Sequence, residues 1–558
     1  MYTSLGGSID MCKCRLSLLF SLLMVPVLTG CGETIVIIDN RHNSSSINEN
    51  ISDSDISSNT DSGSIYTPSK IYKIDEPSFS FVQSNNIEEV TFDDLFNLNN
   101  KVEISIDVDK SEMQKINDDN VYGGDFDNIK PETYHLAKKF TLSLYNGDKK
   151  FTWTLDNVGI RQKGNTSRKP IFDNNGDISN KNHFKISFDE TFTDTNMYDS
   201  EFITKYGNKS YKDRELLGLS GLDIKWNKVD DSTHLKEIYS NMILRNSGIM
   251  AQHIGLATMQ MHYDNNKVAD FGLCNIYEPS SKSFIKRSLS SSTSYINMSS
   301  WDIESKGTYG VKDKKYGDLY KATYGKGDGA NNYWEGACFK SETIQGKRIG
   351  VKTDIKGYNW PIYERKTNTS DNYDDTLMKD LITLLNKSST TIEQINEKVD
   401  LEFLAMEEAV MYYLGNPDAM RYNYNNYLAY FRRVDGKLVI IPIDNDRCFG
   451  IGNGWKDGME FILSKNAKPM SGTAKGGDGK QRNPLLNKTI FANTNNQVKE
   501  NYKACLELVK NSSWLKNETF TKYFNILKKT YNGLSTFSLD GGQDNISFSS
   551  YIERKLSL

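Results

Sequence analysis

Residues 412–450 constrain the fold more than any other part of this chain. The stretch opens at the end of an apolar-periodic helix, LEFLAMEEAVMYYL, and turns at Gly415. Two alternating apolar runs follow, NYLAYF and KLVIIPI, and Asp435-Gly436 lies between them. Asp-Gly between alternating apolar runs is a strong signal for a β-hairpin. The sequence therefore predicts a helix, a turn and a hairpin in succession.

Acidic and amide side chains stand at both ends of this hairpin. Asp418 precedes it, Asn423 and Asn426 stand at its entrance, and Asp444 and Asp446 follow its second strand. Because the entrance and the exit of a hairpin lie side by side, we expect these oxygen atoms to converge. Carboxylate and amide oxygens are the ligands that Mg²⁺ prefers, so the pattern indicates a divalent-cation site beside a separate acid. The alternative, that these residues only form turns, stays open because Asp and Asn favour turn conformations.

The composition is that of a soluble globular protein with polar segments. Hydrophobic residues make up 37% of the 558 positions and charged residues 25%, with a formal net charge of -4. A chain of this length has room for more than one domain. Because there is no excess of positive charge, no nucleic-acid partner is expected. Four cysteines in the body form no CxxC pair, which argues against zinc and favours isolated buried thiols: Cys274, Cys338, Cys448 and Cys505.

The N-terminus carries a targeting signal. Lys13 and Arg15 precede the apolar run LSLLFSLLMVPVL, which is short for a membrane-spanning helix and is followed by Thr-Gly and Cys31. This arrangement resembles a bacterial lipoprotein signal. The resemblance implies that residues 1–31 end in a lipidated cysteine and that the protein is anchored to the cell membrane on its extracytoplasmic face. The alternative is an ordinary secretory signal with an incidental cysteine.

A polar segment separates this signal from the folded body. Residues 32–69 are rich in Ser, Asn and Asp, as in HNSSSINENISDSDISSNTDSGS. Such a segment buries too little apolar surface to fold alone. We interpret it as a flexible tether between the lipid and a body that occupies residues 70–558.

The first half of the body combines hairpins with one helix. The runs KKFTLSLYN and KKFTWTLDNVGIRQKG predict a first hairpin, and KNHFKISFD predicts a further strand that carries Lys185. A helix with Glu237 in its first turns follows, and then a second hairpin, LATMQMHYDNNKVADFGLCNIYE, which ends at Glu278. This is the order of the N-terminal lobe of a protein kinase, where a strand lysine binds the phosphates and a helix acid holds it. Lys185 and Glu237 are the candidates, and the alternative is that Lys185 is a solvated strand residue.

Eight short segments follow one another in an order that is specific for one family. They are GIRQKGNTSR, KNHFKISFD, LKEIYSNMILRNSG, FGLCNIYEPSSKSFIKR, DLYK, YERKTN, NPDAMRYNYNNYLAY and IPIDNDRCFG. In these segments the chain resembles the spore-coat protein H kinase-like (CotH) family, from about Phe79 to at least Gly450. Ile443 departs from the family pattern, which commonly has Trp at that position.

The resemblance implies an α+β, two-lobed fold that is a divergent form of the protein-kinase fold. A mainly antiparallel N-terminal lobe is expected over about residues 79–280. A helical C-terminal lobe that carries the catalytic hairpin is expected over about residues 281–558. The implied reaction is transfer of the γ-phosphate of ATP, with Mg²⁺ or Mn²⁺, to serine hydroxyls of a Ser-rich protein.

The resemblance also implies roles for individual residues. Asp418 would accept or orient the proton of the substrate hydroxyl. Asp444 and Asp446 would bind the metal, and Asn426, ranked before Asn423, would be its amide ligand. The remaining residues would contact the nucleotide, and the lysine among them would also serve catalysis: Lys185, Arg161, Arg168, Glu237 and Glu278.

The expected protein partners follow from this reaction. Spore-coat or cell-envelope proteins are the expected substrates, although a lipid anchor departs from a role in the coat. Serines of the tether, within residues 44–64, are a second expected substrate through autophosphorylation, because a flexible linker spans on the order of 30 Å. Two other classes of protein stay open: an inactive kinase-like lipoprotein that acts as a scaffold, and a surface adhesin.

Overall fold

The computed structural model describes most of the body. The described residues are 72–120, 132–164, 167–264, 266–290, 298–302, 317–323, 325–326, 334–335, 337–340, 349–351, 361–369, 375–463, 483–542 and 544–558. All of them belong to the unit Val36–Leu558. The signal peptide, Cys31 and the tether lie outside the described residues, so what is expected of them stays a prediction. Within the described ranges, no helix combines the length and the apolar character needed to cross a membrane.

Seven strands of the first half close into a barrel. They are β1 (Lys101–Val108), β2 (His135–Asn146), β3 (Lys149–Lys163), β4 (His183–Ser187), β5 (Gly221–Trp226), β6 (Ile254–Tyr263) and β7 (Lys267–Tyr277). Their order around the barrel is β1-β2-β3-β4-β5-β7-β6. Neighbouring strands are antiparallel except β1 and β6, whose parallel pairing closes the barrel. Both predicted hairpins are confirmed, whereas β5 lies in a stretch, GLDIKW, where no strand is predicted.

Every second side chain of the strands points into the barrel and fills it. Along β1, every second residue is buried and the residues between are half-buried. Successive side chains of a strand point to opposite faces, so this alternation sends one set into the barrel. The interior set forms a hydrophobic cluster of its own that includes Phe140, Phe184 and Ile224. The opposite set on β3, β4, β5 and β7 is polar, and it becomes important for the site.

Five helices accompany the barrel strands in the chain. They are α1 (Phe92–Phe96), α2 (Lys110–Asp119), α3 (Ser200–Tyr206), α4 (Lys236–Asn246) and α5 (Lys282–Ser290). Helix α4 begins beside Asp231, whose Oδ2 accepts the backbone N–H of Lys236 at 2.9 Å. The apolar side chains of α4, among them Tyr239 and Leu244, belong to a second hydrophobic core outside the barrel.

The second half contains a sheet of five strands. The strands of this half are β8 (Asp318–Ala322), β9 (Gly325–Lys326), β10 (Trp334–Glu335), β11 (Ile349–Gly350), β12 (Tyr363–Arg365), β13 (Tyr427–Phe431) and β14 (Leu438–Pro442). The five-stranded sheet has the order β11-β12-β8-β13-β14, and β9 pairs with β10. The antiparallel pair β13 and β14 is the hairpin predicted from Asp435-Gly436. Every residue of both strands is buried, which explains their nearly continuous apolar sequence.

Helices build the rest of this half around the second core. They are α6 (Thr376–Leu385), α7 (Ile392–Asn396), α8 (Leu401–Leu414), α9 (Met420–Asn423), α10 (Lys456–Ile462), α11 (Pro484–Lys488), α12 (Gln497–Lys510), α13 (Asn517–Thr530) and α14 (Phe548–Leu556). Short 3-10 helices are found at Ile87–Glu89, Lys209–Tyr211, Met298–Asp302 and Ser513–Leu515. In α8 every residue except Tyr412 is buried, as is typical of a central helix. The described part of the chain is therefore an α+β protein, as predicted.

The end of α13 ties the second core to the barrel. The Thr530 hydroxyl donates to the carbonyl of Leu98 at 2.8 Å. The Tyr531 hydroxyl accepts the N–H of Val102 at 3.1 Å and donates to the carbonyl of Leu256 at 2.5 Å. Since Val102 lies in β1 and Leu256 in β6, one hydroxyl spans the end of the parallel pair that closes the barrel.

Candidate active site

The end of α8 sets the position of the loop before the hairpin. Gly415 ends the helix with φ 64, and a Cβ there would lie 1.9 Å from the Tyr551 hydroxyl, so glycine is required. Asn416 is buried, and its Oδ1 accepts the N–H of Asp418 at 3.0 Å. Its Nδ2 donates to the carbonyl of Asp444 at 3.2 Å. One side chain thus holds the loop before the hairpin against the segment after it, as the hairpin geometry predicts.

Three asparagines hold the carboxylate of Asp418. Its Oδ1 accepts from Asn423 Nδ2 at 2.7 Å and from Asn425 Nδ2 at 3.3 Å. Its Oδ2 accepts from Asn426 Nδ2 at 2.9 Å. Burial raises the pKa of Asp418 to about 6, against the opposing effect of the amide hydrogen bonds from Asn423 and Asn425. A carboxylate with a pKa just below neutral and a fixed orientation is suited to accept a proton.

Asn423 and Asn426, the two predicted amide ligands, each donate a hydrogen bond from Nδ2 to Asp418. Each can therefore bind a cation through its amide oxygen. The backbone around them is strained, since Tyr424 has φ 56 and Asn426 has φ 54. Non-glycine residues rarely adopt this conformation, and such strain is often found at functional sites. The strain here fixes the direction in which the hairpin starts.

Asp444 and Asp446 differ strongly in their electrostatic surroundings. Burial alone would raise the pKa of Asp444, but the ammonium groups of Lys225, Lys163 and Lys321 outweigh it and hold this pKa well below its ordinary value. For Asp446, burial and the charge of Asp444 raise the pKa to about 8. A divalent cation held by these carboxyl groups would favour the ionised form of Asp446.

Lys225 connects Glu237 on α4 to Asp444, one of the two carboxylates predicted to bind the metal. Its Nζ donates to Asp444 Oδ1 and lies 3.8 Å from Glu237 Oε1. Glu237 Oε2 in turn accepts from the Tyr277 hydroxyl at 2.5 Å and from Asn275 Nδ2 at 3.3 Å. Strand β5, helix α4, strand β7 and the segment after β14 thus meet around the pair of Lys225 and Glu237. The place predicted for Lys185, beside Glu237, is taken by Lys225.

The outer face of the three barrel strands β3, β4 and β5 is rich in cations. Across β3, β4 and β5, Arg161 lies opposite Lys185, which lies opposite Asp223. Lys163 and Lys225 lie on the same face, two residues after Arg161 and Asp223 respectively. Lys163 Nζ lies 2.5 Å from Asp223 Oδ2. Four cations on one face with one barrel carboxylate among them form a surface that can bind phosphate groups.

The structure separates the predicted site residues into two sets. The residues that it brings together are Asp418, Asn423, Asn426, Asp444, Asp446 and Glu237. The second set lies apart from these contacts. Lys185 lies beside Asp223 and Arg161, and Arg161 forms an ion pair with Glu132 at 2.7 Å. Arg168 Nη1 donates to Asn120 Oδ1 at 2.6 Å, next to the end of α2.

Glu278 belongs to a different contact network. Its carboxylate pairs with Arg287 and lies 3.2 Å from His253 Nδ1. Its backbone N–H donates to the carbonyl of His253 at 3.0 Å, and its carbonyl accepts from Gln252 Nε2 at 2.5 Å. The side chain is 2% exposed. These bonds join the end of β7 to α5, and the nucleotide contact expected of Glu278 stays a prediction.

Four residues of the site are absent from the sequence-based set. Asn425 also donates a hydrogen bond to the carboxylate of Asp418. The other three residues are the lysines whose charges act on Asp444: Lys225, Lys163 and Lys321. Burial lowers the pKa of Lys321 to about 8, and the positive charge of Lys366 adds to this effect. Two signals in the sequence point to two of these lysines: the alternation of apolar and charged residues in GLDIKW, which contains Lys225, and the DLYK segment, which contains Lys321.

The oxygen donors fit a magnesium ion that shares its ligands with phosphates. Among the described residues, no three His, Cys, Asp or Glu side chains converge as a group that could hold a metal ion. Two carboxyl groups, Asp444 and Asp446, and the oxygens of Asn423 and Asn426 are what the site offers. Mg²⁺ is commonly bound through one or two carboxylates and completes its shell with waters and substrate phosphates. The donor set therefore fits Mg²⁺ or Mn²⁺ together with a nucleotide.

Comparison with known proteins places the chain in a family. The family model described as CotH kinase protein matches residues 160–534. The chain belongs to the CotH kinase family. The matched range begins at the end of β3, includes the Lys225, Glu237 and Asp444 contacts, and extends beyond α13. A search of curated proteins finds no match.

Proposed function

We propose that this CotH-family protein is a protein serine kinase that depends on ATP and a divalent metal and that acts on spore-coat or cell-envelope proteins. The observation that carries the proposal is the position of Lys225, between Glu237 on α4 and Asp444 after β14. A protein kinase needs a strand lysine held by a helix acid, close to a metal-binding aspartate. An adhesin or a scaffold requires none of these contacts.

We further propose that the fold is a divergent, two-lobed kinase fold. The two separate hydrophobic cores support this division, because one fills the barrel and the other fills the helical half. In this arrangement the barrel is the N-terminal lobe, and the helical half carries the catalytic hairpin of β13 and β14. Helix α4 packs its apolar side chains into the second core while Glu237 reaches the polar face of the barrel.

In the proposed mechanism, the cationic face of the barrel binds the phosphates of ATP. Lys225, Lys185, Lys163 and Arg161 supply the positive charge, and the pairing of Lys225 with Glu237 orients one of these cations. Asp444 and Asp446 would hold Mg²⁺ or Mn²⁺ with the amide oxygen of Asn426 or Asn423. The metal, when bound, neutralises charge on the transferred phosphoryl group and the leaving group. Positioning and charge stabilisation provide most of the catalysis in reactions of this class.

Asp418 accepts the proton of the attacking serine hydroxyl in this mechanism. Its pKa of about 6 leaves it ionised at neutral pH, so that it can act as a base. The amides of Asn423 and Asn426 hold its two oxygens, so the carboxylate keeps one orientation. As the serine oxygen bonds to the γ-phosphorus and the bond to ADP breaks, the proton passes to Asp418.

The location and the second substrate are proposed from the sequence. Cys31 would anchor the protein to the extracytoplasmic face of the cell membrane through a lipid. The tether serines within residues 44–64 would then be phosphorylated by the body of the same chain.

Incubation of the purified protein with γ-labelled ATP, Mg²⁺ or Mn²⁺ and a Ser-rich protein tests the proposed function. Metal-dependent labelling of serine is expected, and it should be lost in Asp418→Asn. The competing interpretation, an inactive surface lipoprotein, predicts no labelling in any of these reactions. Mass spectrometry of the same reactions reports whether the tether is labelled in addition to the added substrate.

A further inference from the structure

Arg421 forms a buried ion pair three residues after Asp418, on the short helix α9. Its Nη1 donates to Glu408 Oε2 at 2.9 Å and to the backbone carbonyl of Glu408 at 3.3 Å. The side chain of Arg421 is 8% exposed and that of Glu408 is 1% exposed. Because Glu408 belongs to α8, the pair fastens α9 to a helix that is buried along almost its whole length.

Four aromatic rings lie around the guanidinium group of Arg421. Their centres are between 4.9 and 5.6 Å from its Cζ atom, and the rings belong to Tyr412, Tyr422, Phe491 and Tyr502. A cation is attracted to the face of an aromatic ring within about 6 Å. Since the rings come from α8, α9, α12 and the segment before α12, contacts from several elements fix the direction of this side chain.

Helix α9 also carries a hydrogen-bond partner of Asp418. Asn423 Nδ2 donates to Asp418 Oδ1 at 2.7 Å, and the backbone N–H of Asn423 donates to the carbonyl of Ala419 at 2.8 Å. One helical turn therefore connects the carboxylate to the amide that holds it, and Arg421 lies in the middle of that turn. A shift of α9 along α8 would move Asn423 relative to the rest of the site.

A buried ion pair is a poor means of stabilising a protein core. Removal of two charges from water costs free energy that their attraction regains only in part, so apolar side chains of similar size are often equally stable in their place. What the pair of Arg421 and Glu408 adds is direction, because a guanidinium and a carboxylate bond in few relative orientations.

We propose that Arg421, held by Glu408, is a positioning residue that sets the orientation of Asp418 and Asn423 for phosphate transfer. This inference rests on the proposed kinase function, because Asp418 is the proposed base. Misplacement of a catalytic group by about 1 Å can lower a rate by about 100-fold, even when the altered residue lies away from the reacting atoms. Nucleotide binding should be unaffected, since neither Arg421 nor Glu408 belongs to the cationic face or to the metal-binding carboxylates.

The double variant Arg421→Met with Glu408→Leu tests the proposal. The single variant Arg421→Met leaves the carboxylate of Glu408 buried without this cation and should lower the melting temperature. The double variant removes both charges and should regain most of that loss. Its kcat should nevertheless stay about tenfold to 100-fold below that of the wild type, while KM for ATP changes by less than about twofold.

Arg432 supplies a matched control on the same central helix. Its Nη1 lies 2.6 Å from Oδ2 of Asp400, which precedes α8, and both side chains are 8% exposed. Its guanidinium lies 5.0 Å from the ring centre of Trp301. Arg432 follows β13 at the end opposite to Asn426, so Arg432→Met should lower the melting temperature but change kcat by less than about twofold.

Hydrogen exchange of residues 418–426, measured by mass spectrometry, reports on the same loop without an assay of activity. Exchange there should be faster in the double variant than in the wild type, and Arg432→Met should leave it unchanged. If the double variant regains both stability and the wild-type kcat, the pair is only structural and the proposal is overturned.

The kinase function can fail separately. If the wild-type protein transfers no phosphate, the kinase function is wrong, and hydrogen exchange alone then decides the positioning role. Faster exchange of residues 418–426 in the stable double variant would support that role, and unchanged exchange would overturn it.

Discussion

Lys225 Nζ lies 3.8 Å from Glu237 Oε1, and the same ammonium group donates to Asp444, which is 219 residues away in the chain. Because this cation contacts both carboxylates, Lys225→Met should lower kcat/KM for ATP by on the order of 100-fold or more. Lys185→Met, on the next strand of the same face, is the matched control and should have a smaller effect. Radiometric assays of both purified variants compare them, with melting temperatures to verify folding. A larger loss in Lys185→Met would return the principal role to Lys185.

Variants of Asp418 and of Asp444 should distinguish loss of catalysis from loss of nucleotide binding. Asp418→Ala and Asp444→Ala are each expected to abolish phosphate transfer while the protein stays folded. Asp444→Ala should also lose the metal-dependent stabilisation by ATP in a thermal-shift assay, because its carboxylate is a proposed metal ligand. Asp418→Ala should keep that stabilisation, since Asp418 is proposed to act on the serine proton. Full transfer activity in either variant would contradict the roles assigned here.

The hairpin and its polar ends could be predicted because their signals are local. Asp435-Gly436 between two apolar runs determines the turn, and the turn brings Asp418 and Asp444 to the same place. The asparagines at the entrance follow from the same short stretch. Interpretation of these residues therefore required no knowledge of distant contacts.

Lys225 could not be chosen in the same way. Its strand has six residues, and the alternation in GLDIKW is short and follows a long polar stretch. The choice between Lys185 and Lys225 depends on which strand lies next to α4, and that is a property of the barrel order. The closure of the barrel by a parallel pair of β1 and β6 is likewise a long-range feature, and the sequence analysis does not predict it.

Glu278 shows how a correct motif leaves the geometry undetermined. The segment ends a strand, as predicted, and Tyr277 on the polar face reaches Glu237. The next residue, Glu278, lies just beyond the end of β7, and its carboxylate contacts His253 and Arg287 instead. Two adjacent residues of one motif thus belong to different contact networks.

The Tyr531 hydroxyl should contribute measurably to stability. Tyr531→Phe leaves the N–H of Val102 and the carbonyl of Leu256 without their buried partner, which should lower the free energy of unfolding by about 2 kcal/mol. Urea denaturation followed by circular dichroism measures this change. The control is Tyr145→Phe, which removes a half-buried hydroxyl bonded to Glu103 and should lower the free energy of unfolding by less than about 1 kcal/mol. Equal effects of the two variants would contradict the buried role of Tyr531.

The lipid anchor makes a prediction outside the described residues. Cys31→Ser should release the protein from the membrane fraction or block its processing, because the acylated thiol is lost. Cys14→Ser, within the signal, is the matched control and should fractionate like the wild type. Fractionation and immunoblotting of expressing bacterial cells compare the two. An unchanged membrane fraction for Cys31→Ser would show that the lipoprotein interpretation is wrong.

The buried residues Glu112 and His135, with the exposed Asp119 beside them, should make stability depend on pH. Burial alone would raise the pKa of Glu112, but contacts with His135 and Lys115 lower it from 4.5 to about 2. Burial would lower the pKa of His135, but Asp119, at 2.7 Å, and Glu112 raise it above 6.5. The group should therefore stabilise the fold most between about pH 4.5 and pH 6.5.

The loss of stability above this pH range and the loss below it have different causes. The contribution of His135 is complete below its unfolded pKa and is lost as the pH rises through its higher folded pKa. The contribution of Glu112 is complete above its unfolded pKa and is lost as the pH falls toward about 2. His135→Gln should remove the part of the loss of stability at higher pH that is due to the histidine. Urea denaturation midpoints measured from pH 5 to pH 8 test this. If this variant and the wild type decline in parallel over that range, His135 does not titrate as its contacts require.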